Sequence, residues 1–193
     1  MADGTLKVGT ITTSSGSGTI TLGQSGETVD MANGSITLNS SMKNTPSFFA
    51  VKTSETSITS GTITKVTFDT EVYDTDSDYD TSNGRFTPTV AGKYFLSAAV
   101  RVYASSGTSR YVNGYLRKNG SSSGNNSLGS YTQENNADNS MNNGMVLING
   151  IFDMNGSSDY VEVYTQSAGT STTISYDNNG RTTYFMGYKL IGA

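Results

Sequence analysis

Tyr79-Asp80-Thr81-Ser82-Asn83-Gly84-Arg85-Phe86-Thr87-Pro88-Thr89-Val90-Ala91-Gly92-Lys93-Tyr94-Phe95 is the stretch whose punctuation decides the fold. Asn83-Gly84 reads as a tight turn that delivers Phe86 inward. Pro88 ends that short strand, and Gly92 turns the chain into a longer one. The longer strand runs from Lys93 to Tyr103 and alternates cleanly. Tyr94, Leu96, Ala98, Val100 and Val102 fall on one face, with Phe95, Ser97, Ala99, Arg101 and Tyr103 on the other.

Moving outward, the same period of two recurs along residues 47–193. Strands are expected at about 47–53, 62–73, 84–88, 92–103, 109–118, 144–154, 159–166 and 182–191, broken by Asn, Gly and Ser turns. No window carries a sustained helical period with starts and stops. That many antiparallel strands in one domain predict an all-β chain, a two-sheet sandwich or jelly roll. Residues 119–143, rich in Asn, Ser and Gly, read as a long polar insert between strands. Long loops on a rigid β scaffold are a usual seat of function.

Residues 1–45 have a different character. Apolar pairs two apart recur at Leu6/Val8, Ile20/Leu22, Val29/Met31 and Ile36/Leu38, separated by turns such as Gly23-Gln24-Ser25-Gly26 and Asn33-Gly34. Each pair gives a short strand one thin apolar face. These few apolar residues do not offset backbone ordering at roughly 1–2 kcal/mol per residue. The segment is therefore expected to borrow partners, either its own copies in a stalk or another protein's surface.

Composition removes whole classes of chemistry. With no His and no Cys, the chain has no Ser-His-Asp or Cys-His pair, no disulfide framework and no ordinary zinc or redox site. We expect no cofactor, no metal and no enzymatic activity. The formal net charge is −4 and the 12 basic residues are scattered along the chain, so no nucleic-acid footprint is expected. No apolar run is long enough to insert in a membrane. No secretory signal is visible at Met1-Ala2-Asp3-Gly4-Thr5, and release by lysis as part of a virion fits this combination.

Preceded by Val66-Thr67-Phe68-Asp69, the Tyr79–Phe95 stretch resembles the globular head domain of complement component one-q, kin to the tumour necrosis factor fold. The expected companions follow in order. They are Leu116-Arg117-Lys118-Asn119-Gly120, an apolar strand at Met145 to Phe152, Tyr160-Val161-Glu162-Val163, and the closing Tyr184-Phe185-Met186-Gly187-Tyr188-Lys189-Leu190. The Asn-rich insert and the polar-interrupted closing strand depart from the pattern. The resemblance implies a jelly roll of about ten strands over residues 46–193. It also implies a tight homotrimer around aromatic and aliphatic residues that binds surface ligands without catalysis. Thr5-Leu6-Lys7-Val8-Gly9-Thr10-Ile11 and Gly18-Thr19-Ile20-Thr21-Leu22-Gly23-Gln24-Ser25-Gly26-Glu27-Thr28-Val29 look like N-terminal stretches of tail-fibre and other structural proteins of marine bacteriophages. Together the halves imply a virion protein. Residues 1–45 would dock to other virion proteins or form a stalk, and the head would attach to a host surface protein or glycan. The alternatives are a capsid decoration or head-fibre protein that stabilises the shell, and a bacterial surface adhesin of the same fold.

Several side chains invite sharper readings. Tyr111, Tyr115 and Tyr131, with Asn135, Asn136 and Asn139 of the insert, are the ligand-binding candidates, because tyrosine buries apolar area while keeping a hydrogen-bonding tip. Tyr103 flanks the same insert, and Tyr111 and Tyr115 equally suit half-buried strand positions or trimer contacts. Asp74, Asp76, Asp78 and Asp80 open like a calcium loop. However, Tyr79 stands where the turn glycine is needed and Arg85 where the bidentate Glu belongs, so a solvated acidic loop is expected. Asp153, Asp159 and Glu162 lie near one another in sequence as paired carboxylates would, and read as strand-end and surface acids.

Overall fold

The computed structural model describes residues 42–104, 109–133, 142–169, 171–175 and 182–192, together with 25, 26 and 28. The chain divides into two units, Met1–Thr37 and Leu38–Ala193. The described strands all belong to the second unit. The expectations for the apolar pairs of residues 1–45 lie outside the described residues.

Thirteen strands follow in chain order among the described residues: β1 Ser47–Val51, β2 Thr56–Ser57, β3 Thr64–Val66, β4 Thr70–Asp74, β5 Tyr79–Asp80, β6 Arg85–Phe86, β7 Gly92–Ala104, β8 Ser109–Lys118, β9 Ser127–Gln133, β10 Asn143–Met154, β11 Val161–Gly169, β12 Thr172–Ser175 and β13 Tyr184–Lys189. They form two antiparallel sheets. Sheet A holds β2, β12, β7, β13, β1 and β4 in that order, with β10 along the other side of β7. Sheet B runs β5, β6, β11, β8, β9, with β3 also paired to β11. This is the all-β jelly roll expected from the alternation.

The opening stretch supplies the keystone of the core. Tyr79, Phe86 and Tyr94 are buried, and Phe48 lies among them, stacked on Phe86 at 4.3 Å and on Tyr79 at 5.2 Å. Phe185 meets Phe48 edge-on at 4.8 Å. Ring pairs in these geometries contribute about 0.5–1.5 kcal/mol beyond the area they bury. Gly84 takes φ +67° and donates its N–H to the Asp80 carbonyl at 2.8 Å, so the loop from 81 to 84 closes β5 onto β6 and aims Phe86 inward. The two tyrosine tips are satisfied on the spot. The Tyr79 hydroxyl donates to the Phe68 carbonyl at 3.2 Å, and the Tyr94 hydroxyl to that of Val90 at 2.6 Å. Along β7, Tyr94, Leu96, Ala98, Val100 and Val102 all have zero exposure, as the alternation requires.

Three expectations are corrected. The strand expected over 62–73 is two strands in different sheets: β3 pairs with β11, and β4 with β1. The corner between them is pinned by polar groups. Lys52 Nζ donates to the Thr67 carbonyl at 3.2 Å, and the Asp69 carboxylate accepts the N–H and hydroxyl of both Thr53 and Ser54. Second, the insert is not all loop, since β9 pairs with β8 over seven residues. Third, the Asp74–Asp80 run is bent, with Ser77 at φ +59°, and only part of it is solvated. Asp78 is buried and accepts the Thr89 N–H at 3.0 Å, Asp74 accepts from the Tyr79 N–H at 2.7 Å, and Asp80 caps Ser82 and Asn83. Each of these three carboxylates thus serves its own turn. Among the described residues no group of three or more acids is placed to hold a metal ion.

Candidate ligand-binding face

The two sheets present outer faces of opposite chemistry. On sheet A, residues in register across β10, β7, β13 and β1 make rows. One row is Ile151, Phe95 and Tyr188; the next is Leu147, Ala99, Tyr184 and Val51. Between them, Asn149 and Ser97 lead to Met186, Phe49 and Tyr73. Ile151 is 58% exposed, Met145 53% and Leu147 48%. Contiguous apolar surface of this kind on a folded domain marks an interaction site. Tyr103 belongs to this sheet and not with the insert tyrosines.

The outer face of sheet B is polar and aromatic. Val112 and Leu116 of β8 point into the core, so Tyr111, Asn113, Tyr115 and Arg117 point out. Pairing sets Asn113 opposite Tyr131 and Tyr115 opposite Gly129 on β9, and Tyr115 opposite Tyr164 on β11. Asn113, Tyr115, Gly129, Ser130 and Tyr131 line an open cleft of about 280 Å³. Gly129 leaves its floor bare, and a Cβ there would stand 3.1 Å from the Tyr115 ring. Tyr131 is 69% exposed, an unusual position for an aromatic ring without a partner to cover it.

Beside the cleft sits a charge cluster. Glu162 is only 2% exposed, which corrects its reading as a surface acid. Its Oε1 accepts from Arg85 Nη2 at 2.9 Å and Lys65 Nζ at 3.2 Å, and its Oε2 from the Tyr164 hydroxyl at 2.7 Å. Burial pushes the Glu162 carboxyl up. The bonds from Tyr164, Arg85 and Lys65, with the Lys65 charge, outweigh that and hold it below the usual glutamate value. The Tyr164 phenol moves the other way, to about 12, through burial and the neighbouring carboxylate. The Arg85 guanidinium lies 3.6 Å above the Tyr160 ring. The Arg117 guanidinium lies 4.8 Å from the Tyr164 ring and 5.1 Å from the Tyr115 ring, and its buried Nε has no hydrogen-bond partner among the described residues. Asp153 and Asp159 stand apart from Glu162, paired with Lys93 at 3.1 Å and Lys118 at 2.7 Å. Three acids each bound to cations of their own are no general acid–base pair.

The structure therefore brings Tyr115 and Tyr131 together in one cleft and puts Tyr111 on the same strand face. Asn135, Asn136 and Asn139 lie outside the described residues. Sequence reading passed over Asn113, Gly129, Ser130, Arg117 and Tyr164, and took Glu162 for a surface acid. The alternation Tyr111, Asn113, Tyr115, Arg117 and its counterpart Glu162, Tyr164, Gln166 carried half of the signal. The pairing of those strands, which joins the halves, is not written in either.

The family model for the C1q domain matches residues 47–190. Among solved structures, murine APRIL at pH 5.0 is similar at a TM-score of 0.53, with 15% identity over 75% of this chain and 98% of that one. Eiger, a TNF from S. frugiperda, is similar at 0.51, with 11% identity over 76% of this chain and 92% of that one. At such identities these two likenesses bear on the fold alone. No curated protein matches the chain by sequence.

Proposed function

Because the chain belongs to the C1q domain family, we propose that residues 46–193 are a trimeric, non-catalytic binding head. Residues 1–45 mount it on a bacteriophage appendage, a tail fibre or comparable structure, that attaches the particle to the host surface. The observation that supports this best is the division of labour between the two sheet faces. The Ile151, Leu147, Phe95 and Tyr188 face of sheet A is what copies of the chain would seal against one another. The Tyr115 and Tyr131 face of sheet B then stays outward with its cleft open. Closed symmetry repeats that cleft on every protomer, and linked sites turn weak contacts into avidity. Support for the virion setting comes from the recurring apolar pairs of residues 1–45 and their likeness to phage fibre proteins. The cleft favours a receptor-binding head over a capsid decoration protein, which has no use for it.

Two measurements test this reading. Immunogold microscopy of intact particles should place the head on the tail, and labelled full-length chain should adsorb to host cells. Gold spread over the capsid shell would assign decoration instead. No label on particles, with no adsorption, would overturn the virion role.

A further inference from the structure

The cleft between β8 and β9 carries more specific chemistry. We propose that it binds a carboxylate-bearing saccharide, with the sugar ring against Tyr131 and Tyr115 and the carboxylate on Arg117. This rests on the reading of the head as a binding module, and it names the ligand.

Shape comes first. A cleft of about 280 Å³, floored by the bare Gly129 and walled by two tyrosines, fits one or two flat rings rather than an extended helix or strand. Tyrosine rings take the apolar C–H face of such a ring, and the Asn113 and Ser130 side chains supply the donors and acceptors its hydroxyls need. Each of these residues reaches the cleft from a paired strand, so the platform is built before any ligand arrives.

Charge comes second. Lys65, Arg85 and Arg117 put three cations on this face against two carboxylates, Glu162 and the Asp80 that stands opposite Arg85. Glu162 is already saturated by Lys65, Arg85 and Tyr164. A protein of net charge −4 thus carries a local positive excess here. Arg117 holds that excess. It borders the cleft, 5.1 Å from the ring of Tyr115 that lines it and 4.8 Å from that of Tyr164, and its guanidinium has no ion pair or hydrogen bond among the described residues. Because its Nε is buried, the two terminal Nη groups are the edge that would meet a carboxylate through two parallel hydrogen bonds. Neutral sugars would use the rings and leave Arg117 idle. Uronic and sialic sugars are the two sources of the required group.

The test is calorimetric titration of the full chain. The panel is uronate tetrasaccharides (galacturonate, glucuronate, mannuronate, guluronate) and sialyllactose, each beside its carboxyl-reduced form. At least one acidic member should bind, and its reduced form should bind tenfold or more weaker. Arg117→Gln should erase that preference, and Tyr131→Ala should weaken both forms about tenfold, with melting temperatures near that of the parent. Failure of every acidic member to bind at millimolar concentration would overturn the proposal, as would equal binding of the reduced forms. Cell adsorption separates the two readings. Adsorption unchanged by Arg117→Gln sinks the saccharide proposal and leaves the attachment role standing. Saccharide binding by a chain that adsorbs to no cell does the reverse.

Discussion

Replacing Glu162 by Gln removes one negative charge from the middle of sheet B and leaves its shape. The carboxylate now holds Lys65, Arg85 and the Tyr164 hydroxyl from three strands, while its own side chain is 3% exposed. Breaking a fully buried pair on one side costs about 3–5 kcal/mol. The Lys65 and Arg85 side chains are 33% and 35% exposed, so both rehydrate and the cost falls to about 2 kcal/mol. At a urea slope of about 2 kcal/mol per molar, the midpoint should drop by about 1 M at pH 7. Protomer concentration must be fixed, since assembly raises apparent stability. The pH dependence carries a sign. The folded carboxyl sits below its ordinary value. Its stabilisation is therefore complete above the unfolded value of about 4.3 and is lost as pH falls through the depressed folded value. The gap between parent and variant should close below about pH 4. A variant within 0.2 M urea of the parent at pH 7, or a gap that widens in acid, would refute the reasoning (both figures scale with the slope above).

Asp78 should behave oppositely. Burial raises it, the Thr89 bonds offset part of that, and Asp74 and Asp76 add to the rise. Its contribution is full below about pH 4 and lost as pH rises through the raised folded value. Asp78→Asn should therefore raise the melting temperature at pH 7, with the gain fading at pH 4. Gly156 stands at φ +71°, where an added Cβ would lie 2.3 Å from the Ala91 nitrogen. Gly156→Ala should cost about 2–4 kcal/mol, read as a melting temperature lower by about 4 °C or more. Ile151→Arg puts a charge into the apolar face of sheet A at a position 58% exposed. It should leave circular dichroism unchanged while light scattering shows dissociated protomers.

The fold was legible wherever one strand's alternation decides it. Tyr94 to Val102 needs no partner to declare its buried face, and the turn at Gly84 declares itself by residue type. β9 was hidden because Leu128 is its inward apolar residue amid Ser, Gly, Thr and Gln, too little for a period to register. The corner at Thr67–Asp69 was hidden because the lysine and hydroxyls that pin it come from Lys52, Thr53 and Ser54 on another segment. Glu162 shows the same limit at the site. Parity correctly turns it outward, but Lys65 and Arg85 bury it from 97 and 77 positions away. Tyr115 and Tyr131 were legible as residues suited to binding, and the cleft they share depends on register between β8 and β9.

Sedimentation velocity of the full-length chain tests the central claim most directly, since the two-faced head requires sheet A to be covered by other copies. A single species at three times the 20.4 kDa protomer mass, held across dilution to micromolar protomer, is the predicted result. A species at 20.4 kDa that persists as the concentration rises would contradict it.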